Sequence, residues 1–559
     1  MIDHILLISY LIIFKISIIG YGFLFAKIFE QNFYQYNLGA IGLIGIFFSI
    51  FISALTSFFI AHDYFHNFIF HSIGVLFFVL SFNKIKIRDL KIFGLLIILM
   101  ISAIYVSKNH DDFPYYHLTY ALNLSENGFL IGMGSFSHGF RTPSSIFYFH
   151  SLFFLPGIKF FLFHSGPFII MFFFNTYILS RIREDLFKKK INFLFFLSLL
   201  FLTFVNILFY RLGEHGADKS SQILLLLIFL IFFEVIYFKE KKISSHINLI
   251  IILTALAASI KVLYIIYFIL IFFLFFEKKI SISYMKKNFI LFSFVGLFSF
   301  LFILKSFLST GCLIYPAKFT CYEKFSWSVP KQEVQKLNIH YEWWAKAGGD
   351  SSYKYDLPKK EYIKDFNWID NWLEKHFFGK VTDTLGGIAL ISIIYYLLFS
   401  KSKNFFKINR KNFFIYNTIP FIFIFEWFFN HPAMRYGGYV LFSLPVFIFL
   451  SHYLEQRKDE FNSLTKKTLT ILIIVFLIFN IRNFIRISKE VNQYGYEPLK
   501  KPFFYVPQVK SKTITHMDEL NIYAPKNNMC WASKTPCSYN HNLNLKKING
   551  FYVIFRDAK

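Results

Sequence analysis

Residues 108–143 read KNHDDFPYYHLTYALNLSENGFLIGMGSFSHGFRTP, a polar, acidic and aromatic stretch that follows directly on an apolar run. Its chemistry is concentrated at the start. Asp111 and Asp112 are adjacent carboxylates, and a carboxylate at the rim of a membrane can take a proton from a hydroxyl or hold a divalent cation. His110, Tyr115, Tyr116 and His117 crowd the pair, Pro114 stiffens the backbone between them, and His138 and Arg141 follow. Two adjacent acids are also what an ordinary solvated loop contains. The surrounding His and Tyr side chains favour chemistry.

A second acidic loop, Tyr210 to Ser221, carries Glu214 and Asp218 with Arg211, His215 and Lys219 beside them. Lys261 interrupts an apolar stretch from Ile247 to Phe276. An ammonium at that depth is costly, so it either faces an internal cavity or sits at the outer turn between two crossings. Arg435, in the run from His431 to Tyr436 (HPAMRY), faces the same choice. Cations converging on one cavity suit a phosphate or pyrophosphate leaving group. In such a division one loop supplies a base and the other a metal ligand or a phosphate-side contact. Asp112 and Asp218 are the residues open to a magnesium or manganese ion, and the pattern calls for no other cofactor. The sequence has no Walker A loop, dinucleotide glycine fingerprint, GxSxG elbow or HExxH, so it offers nothing for soluble-nucleotide or protease chemistry.

The elements that must position these residues are membrane helices. The chain has 559 residues, 55% hydrophobic and 22% aromatic, with 81 Phe and a mean hydropathy of +0.48. Apolar runs of about 18–20 residues recur along it, each long enough to cross a hydrocarbon core roughly 30 Å thick. The +26 charge does not point to nucleic acid, because Lys and Arg collect in short connectors such as 181–190, 239–242, 277–287, 401–411 and 455–467. That is the pattern that orients membrane proteins, with these connectors inside and the acidic loops outside. Alternation of the connectors requires that Ile146 to Phe163, broken by Pro156-Gly157, does not cross. The fold class is therefore an all-α polytopic membrane protein of about fourteen transmembrane helices. The division is 1–90, N-terminal helices; 91–307, a core with the outer loop 108–165; 308–383, outer segment; 384–486, C-terminal helices; and 487–559, an outer tail with a short strand at Ile548 to Phe555.

All four cysteines lie in the two long outer segments. Cys312 and Cys321 flank one short loop, and Cys530 and Cys537 another, which favours two disulfides in an oxidising compartment. Four free thiols, or a metal site built from all four, are the alternatives.

An acidic pair with Tyr-His at the end of a membrane helix (DDFPYYHL), a second loop with Arg and two acids, an embedded Lys and a late HPxxRY loop together resemble the GT-C superfamily of integral-membrane glycosyltransferases. The pieces TGCLIYP…TCY and CWASKTPC are similar to those of uncharacterised multi-spanning proteins of bacterial surface-polysaccharide loci. The general resemblance covers residues 90–455. It implies a sugar transferase, inverting, that uses a polyprenyl-phosphate sugar donor and a glycan or lipid acceptor at the extracytoplasmic face of a bacterial inner membrane. It implies that Asp111 is the base, with Asp112 where Glu is commoner, and that Asp218 or Glu214 is the second-loop acid. Lys261 and Arg435 would lie near the donor phosphate, with Tyr116, His117, His138, Arg141, Arg211, His215, His431 and Tyr436 as further contacts. A polysaccharide polymerase or ligase, and a transporter or flippase of lipid-linked sugars, are the alternative functions.

Overall fold

The computed structural model describes residues 2–29, 36–106, 112–142, 144–212, 216–237, 243–349, 357–400, 410–456, 460–526 and 529–556. It is mostly helical, at 71%. In order the helices are α1 Ile2–Phe29, α2 Leu38–Thr56, α3 Tyr64–Leu80, α4 Ile87–Met100, α5 Leu118–Glu126, α6 Ser145–Ser151, α7 Gly166–Phe187, α8 Phe193–Leu208, α9 Gly216–Tyr237 and α10 Ile243–Ile260. There follow α11 Ile269–Phe276, α12 Ile282–Lys287, α13 Phe289–Thr310, α14 Lys331–Lys346, α15 Lys359–Tyr362, α16 Ile369–Trp372, α17 Thr382–Phe399, α18 Arg410–Asn430, α19 Gly438–Gln456 and α20 Phe461–Tyr494.

Among the described residues seven helices are long and apolar enough to cross a membrane, and five shorter apolar helices accompany them. This is a polytopic all-α architecture. The sequence predicts crossings at 247–261 and 262–276; α10 ends at Ile260, the chain kinks at Lys261, and a 3-10 turn, Val262–Phe268, leads into the short α11, so that 262–276 is one of the shorter apolar helical stretches.

Burial separates a central layer from a lipid-facing one. The apolar windows of α2 and α9 are 89% and 83% buried, against 28% for α13 and 33% for α20, whose exposed Ile, Leu and Phe side chains suit contact with acyl chains. Close approach at the centre uses glycine. A Cβ on Gly20 of α1 would lie 1.7 Å from the carbonyl oxygen of Gly74 on α3, so these helices touch backbone to backbone.

The segment Ile146 to Phe163 forms no crossing helix. After the seven-residue α6 it turns back on itself, and α3 satisfies its carbonyls: Asn67 Nδ2 donates to Ser151 and Phe154 (2.8 and 2.9 Å), and His71 Nε2 to Leu152 (2.9 Å). Irregular backbone at such depth persists only where side chains replace water in this way.

The tail folds into two antiparallel hairpins, β1 Ser511–Met517 with β2 Leu520–Pro525 and β3 Asn544–Ile548 with β4 Phe551–Phe555. The single strand expected at Ile548 to Phe555 is a hairpin end because Asn549 and Gly550 adopt left-handed φ values of 48° and 85°, which reverse the chain. The tail docks on the acidic loop. Trp531 N donates to Pro114 O (3.0 Å), Tyr539 N to Phe136 O (3.3 Å) and Ile554 N to Ile131 O (2.9 Å). Glu333 adds an ion pair to Arg141 (2.8 Å) and another to Arg556 (2.9 Å). Against burial, the Arg556 and Arg141 guanidiniums hold the Glu333 carboxyl below its ordinary value.

Both cysteine pairs are bonded, Cys312 to Cys321 and Cys530 to Cys537, which removes the free-thiol and four-cysteine metal alternatives. The second disulfide closes the turn that carries Trp531 onto Pro114. Replacing Cys530 and Cys537 together by Ser is expected to ease local opening of this turn by about 2–3 kcal/mol on the chain-entropy estimate for so short a loop. Hydrogen exchange at the Trp531 and Tyr539 amides reads it; unchanged protection would contradict the clamp.

Candidate active site

Three chain reversals place the central cluster. On α9, Asp218 stands in the first turn, where the amide dipoles favour a negative charge. One turn on, Gln222 Nε2 donates to the Arg435 carbonyl (3.0 Å), while Arg435 Nε donates to Asp218 Oδ2 (2.7 Å). The kink after α10 turns Lys261 inward, and its Nζ donates to Asp218 Oδ1. Ser144 Oγ donates to Ile260 O (2.6 Å), tying that kink to the start of α6.

The HPAMRY turn between α18 and α19 is pinned from outside. Trp372 Nε1 donates to Pro432 O (2.6 Å), Trp427 Nε1 to Ala433 O (3.1 Å), and the Met434 amide to His376 Nε2 (3.3 Å). Gly437, at φ 114°, reverses the chain into α19. The Tyr436 ring lies under both cations, 4.4 Å from Lys261 Nζ and 5.6 Å from Arg435 Cζ, a cation–π arrangement. Burial pushes the Tyr436 phenol up to about 12.

The acidic loop faces this cluster. Asp112 precedes a π-helical turn, Phe113–His117, whose amides at Tyr116 and His117 return to its carbonyl (3.0 and 3.2 Å). Tyr116 donates its hydroxyl to Asp112 Oδ2 (3.3 Å), and Gly139 permits this, since a Cβ there would lie 2.3 Å from the Tyr116 ring. The Asp112 charge acts on Lys261 and on Tyr436, so the negative loop and the cations share one electrostatic environment. Burial, then the carboxylates of Asp112 and Asp218, hold the Tyr116 phenol well above its ordinary value. His138 pairs with the Tyr115 hydroxyl (3.1 Å), and burial lowers its imidazole below the ordinary value.

Asp111, Glu214 and His215 lie outside the described residues. Asp112, Tyr116, Asp218, Lys261, Arg435 and Tyr436 come together, with His138 at the edge. His117 is instead buried against the rings of Tyr116 and Phe147. Arg141 is turned to Glu333 and the Gly134 carbonyl, contacts that tether the acidic loop to α14. His431 pairs with Glu426 (3.0 Å), and Arg211 is half-buried in the turn after α8. Asp218 does not fit the expected metal ligand, since both its oxygens accept from cations that repel a divalent ion. Among the described residues no three His, Cys, Asp or Glu side chains converge as a metal site.

A cavity of about 240 Å³ opens beside Asp218, lined by Lys219, Gly348, Gly349, His376, Lys380 and Arg435 among others. Sequence reasoning missed His376, Lys380 and the two glycines. They sit in a Trp- and Lys-rich segment whose only local signal was the Gly348-Gly349 pair after α14. Both glycines are left-handed (φ 80° and 71°) and close α14 against the site.

A Cβ at Gly349 would meet Arg435 Cδ at 3.1 Å, whereas one at Gly495, also left-handed, meets nothing within 4 Å. Gly495→Ala therefore isolates the backbone cost of about 1–2 kcal/mol. Gly349→Ala is expected to lower the melting temperature further than Gly495→Ala; equal shifts would show that Arg435 is not held against Gly349.

The domain family described as a domain of unknown function (DUF8201) matches residues 4–442, a stretch that contains Asp112, Asp218, Lys261 and Arg435 and stops before the tail. Neither the curated proteins nor the solved structures provide a match. By the extent of that match, the chain is a member of the DUF8201 family.

Proposed function

We propose that this protein is a membrane glycosyltransferase that moves a sugar from a polyprenyl-phosphate-linked donor to a glycan or lipid acceptor. It crosses a bacterial inner membrane about fourteen times, counting shorter helices, with the site on the extracytoplasmic side. The observation that carries this reading is the convergence of Lys261 and Arg435 on Asp218, with the Tyr436 ring beneath both cations. Two disulfides at the same end of the molecule support an oxidising compartment. Lys-rich connectors at the far ends of α7 and α11 support the orientation.

In the proposed reaction the Asp111 carboxylate takes the proton of an acceptor hydroxyl. The acceptor oxygen bonds to the anomeric carbon as the bond from that carbon to the phosphate oxygen breaks, inverting the centre. The departing phosphate keeps the electron pair, and Lys261 and Arg435 hold its charge. Asp218 fixes these two cations side by side before the donor arrives.

Loss of a general base slows such a step by about 10²–10⁴-fold. Asp111→Asn is expected to abolish glycan assembly in a strain that depends on the gene, with protein level and melting temperature unchanged. Full assembly by that variant would overturn the assignment.

A further inference from the structure

The outer segment after α13 concentrates tryptophan. The chain holds 81 Phe against 7 Trp, and five of those seven, Trp327, Trp343, Trp344, Trp368 and Trp372, lie in residues 308–383. Three of the five close the fold: the indoles of Trp327, Trp368 and Trp372 each donate to a backbone carbonyl, at 3.2, 3.2 and 2.6 Å. Trp344 does not. Its ring is half-buried and its Nε1 makes no hydrogen bond among the described residues. That atom lies 3.6 Å from the point where a Cβ on Gly349 would stand, the same point that meets Arg435 Cδ at 3.1 Å. An indole N–H left open beside Arg435 is available to a ligand oxygen.

The ring belongs to a row. His340, Trp343 and Trp344 stand at i, i+3 and i+4 on one side of α14, all half-buried, and the two indole centroids lie 5.4 and 6.2 Å from that of His340. Lys359 Nζ covers Trp343 at 4.5 Å and donates to His340 Nδ1 (2.8 Å), which holds the row in place. The acidic loop lies alongside: Glu333 in the first turn of α14 pairs with Arg141, and His340 stands close enough to His138 for their charges to act on one another. The row therefore leads along the acidic loop to Arg435.

This surface is unlike those that suit lipid. The large apolar side chains that α13 exposes are Phe289, Ile290, Leu297, Phe300 and Ile303, with no polar atom among them. The row on α14 instead combines flat rings with N–H edges. A sugar ring has the matching form: a face of C–H groups, slightly positive, that lies well on the negative face of an indole, and a rim of hydroxyls that bond to N–H groups. We infer that Trp344, His340 and Trp343 bind a carbohydrate chain, which makes the acceptor a glycan and not a lipid, with its terminal sugar on Trp344 beside Arg435. This rests on the transferase reading of the adjoining site.

The test places the photoreactive p-benzoylphenylalanine at position 340 of the full chain, in cells whose glycan assembly depends on the gene, and analyses the purified protein after irradiation. The expected adduct is an oligosaccharide, detected by periodate oxidation and by mass, whereas the same probe at the exposed Leu477 of α20 is expected to carry lipid alone. With melting temperatures unchanged, Trp344→Leu is expected to label about three- to tenfold less than Trp344→Phe, the fold-change of one aromatic contact. No carbohydrate adduct at position 340, a single sugar still joined to a lipid phosphate, or equal labelling of the Leu and Phe variants would overturn the inference. Asp111→Asn separates this from the transferase reading. If that variant abolishes assembly while position 340 takes no oligosaccharide, the glycan acceptor falls and the transferase stands. If the oligosaccharide adduct forms and that variant assembles glycan in full, the carbohydrate site stands and the transferase falls.

Discussion

One carboxylate shared by two cations ties the site together. Asp218 accepts from Lys261 and from Arg435, which arrive on different chain reversals far apart in sequence. Without the negative charge the two cations would repel one another, and each would be costly to leave partly buried. The carboxylate therefore acts less as a stabiliser of the fold than as a specifier of where its ends meet. It is partly exposed, with side-chain exposures of 13% for Asp218 and 34% for Arg435, so an arriving anion can share the cations without dismantling the pair.

The rest of the structure keeps this arrangement in place. Two indoles and an imidazole pin the turn that carries Arg435, so that the guanidinium approaches Asp218 from a fixed backbone. The acidic loop is held differently. A tail more than 400 residues downstream clamps it through Trp531, Thr535, Ser538 and Ile554, and Thr535 also bonds Glu126. The polar ends of the bundle thus form one surface from segments that the apolar helices bring together, while the helices themselves supply the insulating medium that makes such charges effective.

Much of this was legible in the sequence. The apolar runs announced a polytopic helical protein, and Lys261, set alone in one of them, had to find an anion or an exit; it found Asp218. Both disulfides followed from cysteine position. The tail's hairpins were less visible, although Asn549-Gly550 carried a turn signal. Helix lengths were less legible: seven of the described helices are long and apolar enough to cross, while others, such as the two halves of 247–276 on either side of the kink at Lys261, are shorter. The ion pair of Arg141 with Glu333 was silent, because spacing cannot reveal a neighbour so far along the chain. His376 and Lys380 were silent because their roles depend only on tertiary contact with the Met434–Tyr436 turn.

The central claim is that Asp218 and Arg435 interact directly across the fold. A double-mutant cycle on thermal unfolding in nanodiscs, with Asp218→Asn, Arg435→Gln and the pair, tests it most directly. The structure calls for a coupling energy of about 0.5–3 kcal/mol, the range found for residues in one hydrogen-bond or ion-pair network. Additivity within about 0.3–0.5 kcal/mol would mean that the two groups do not meet, and the shared-carboxylate account would fall with it.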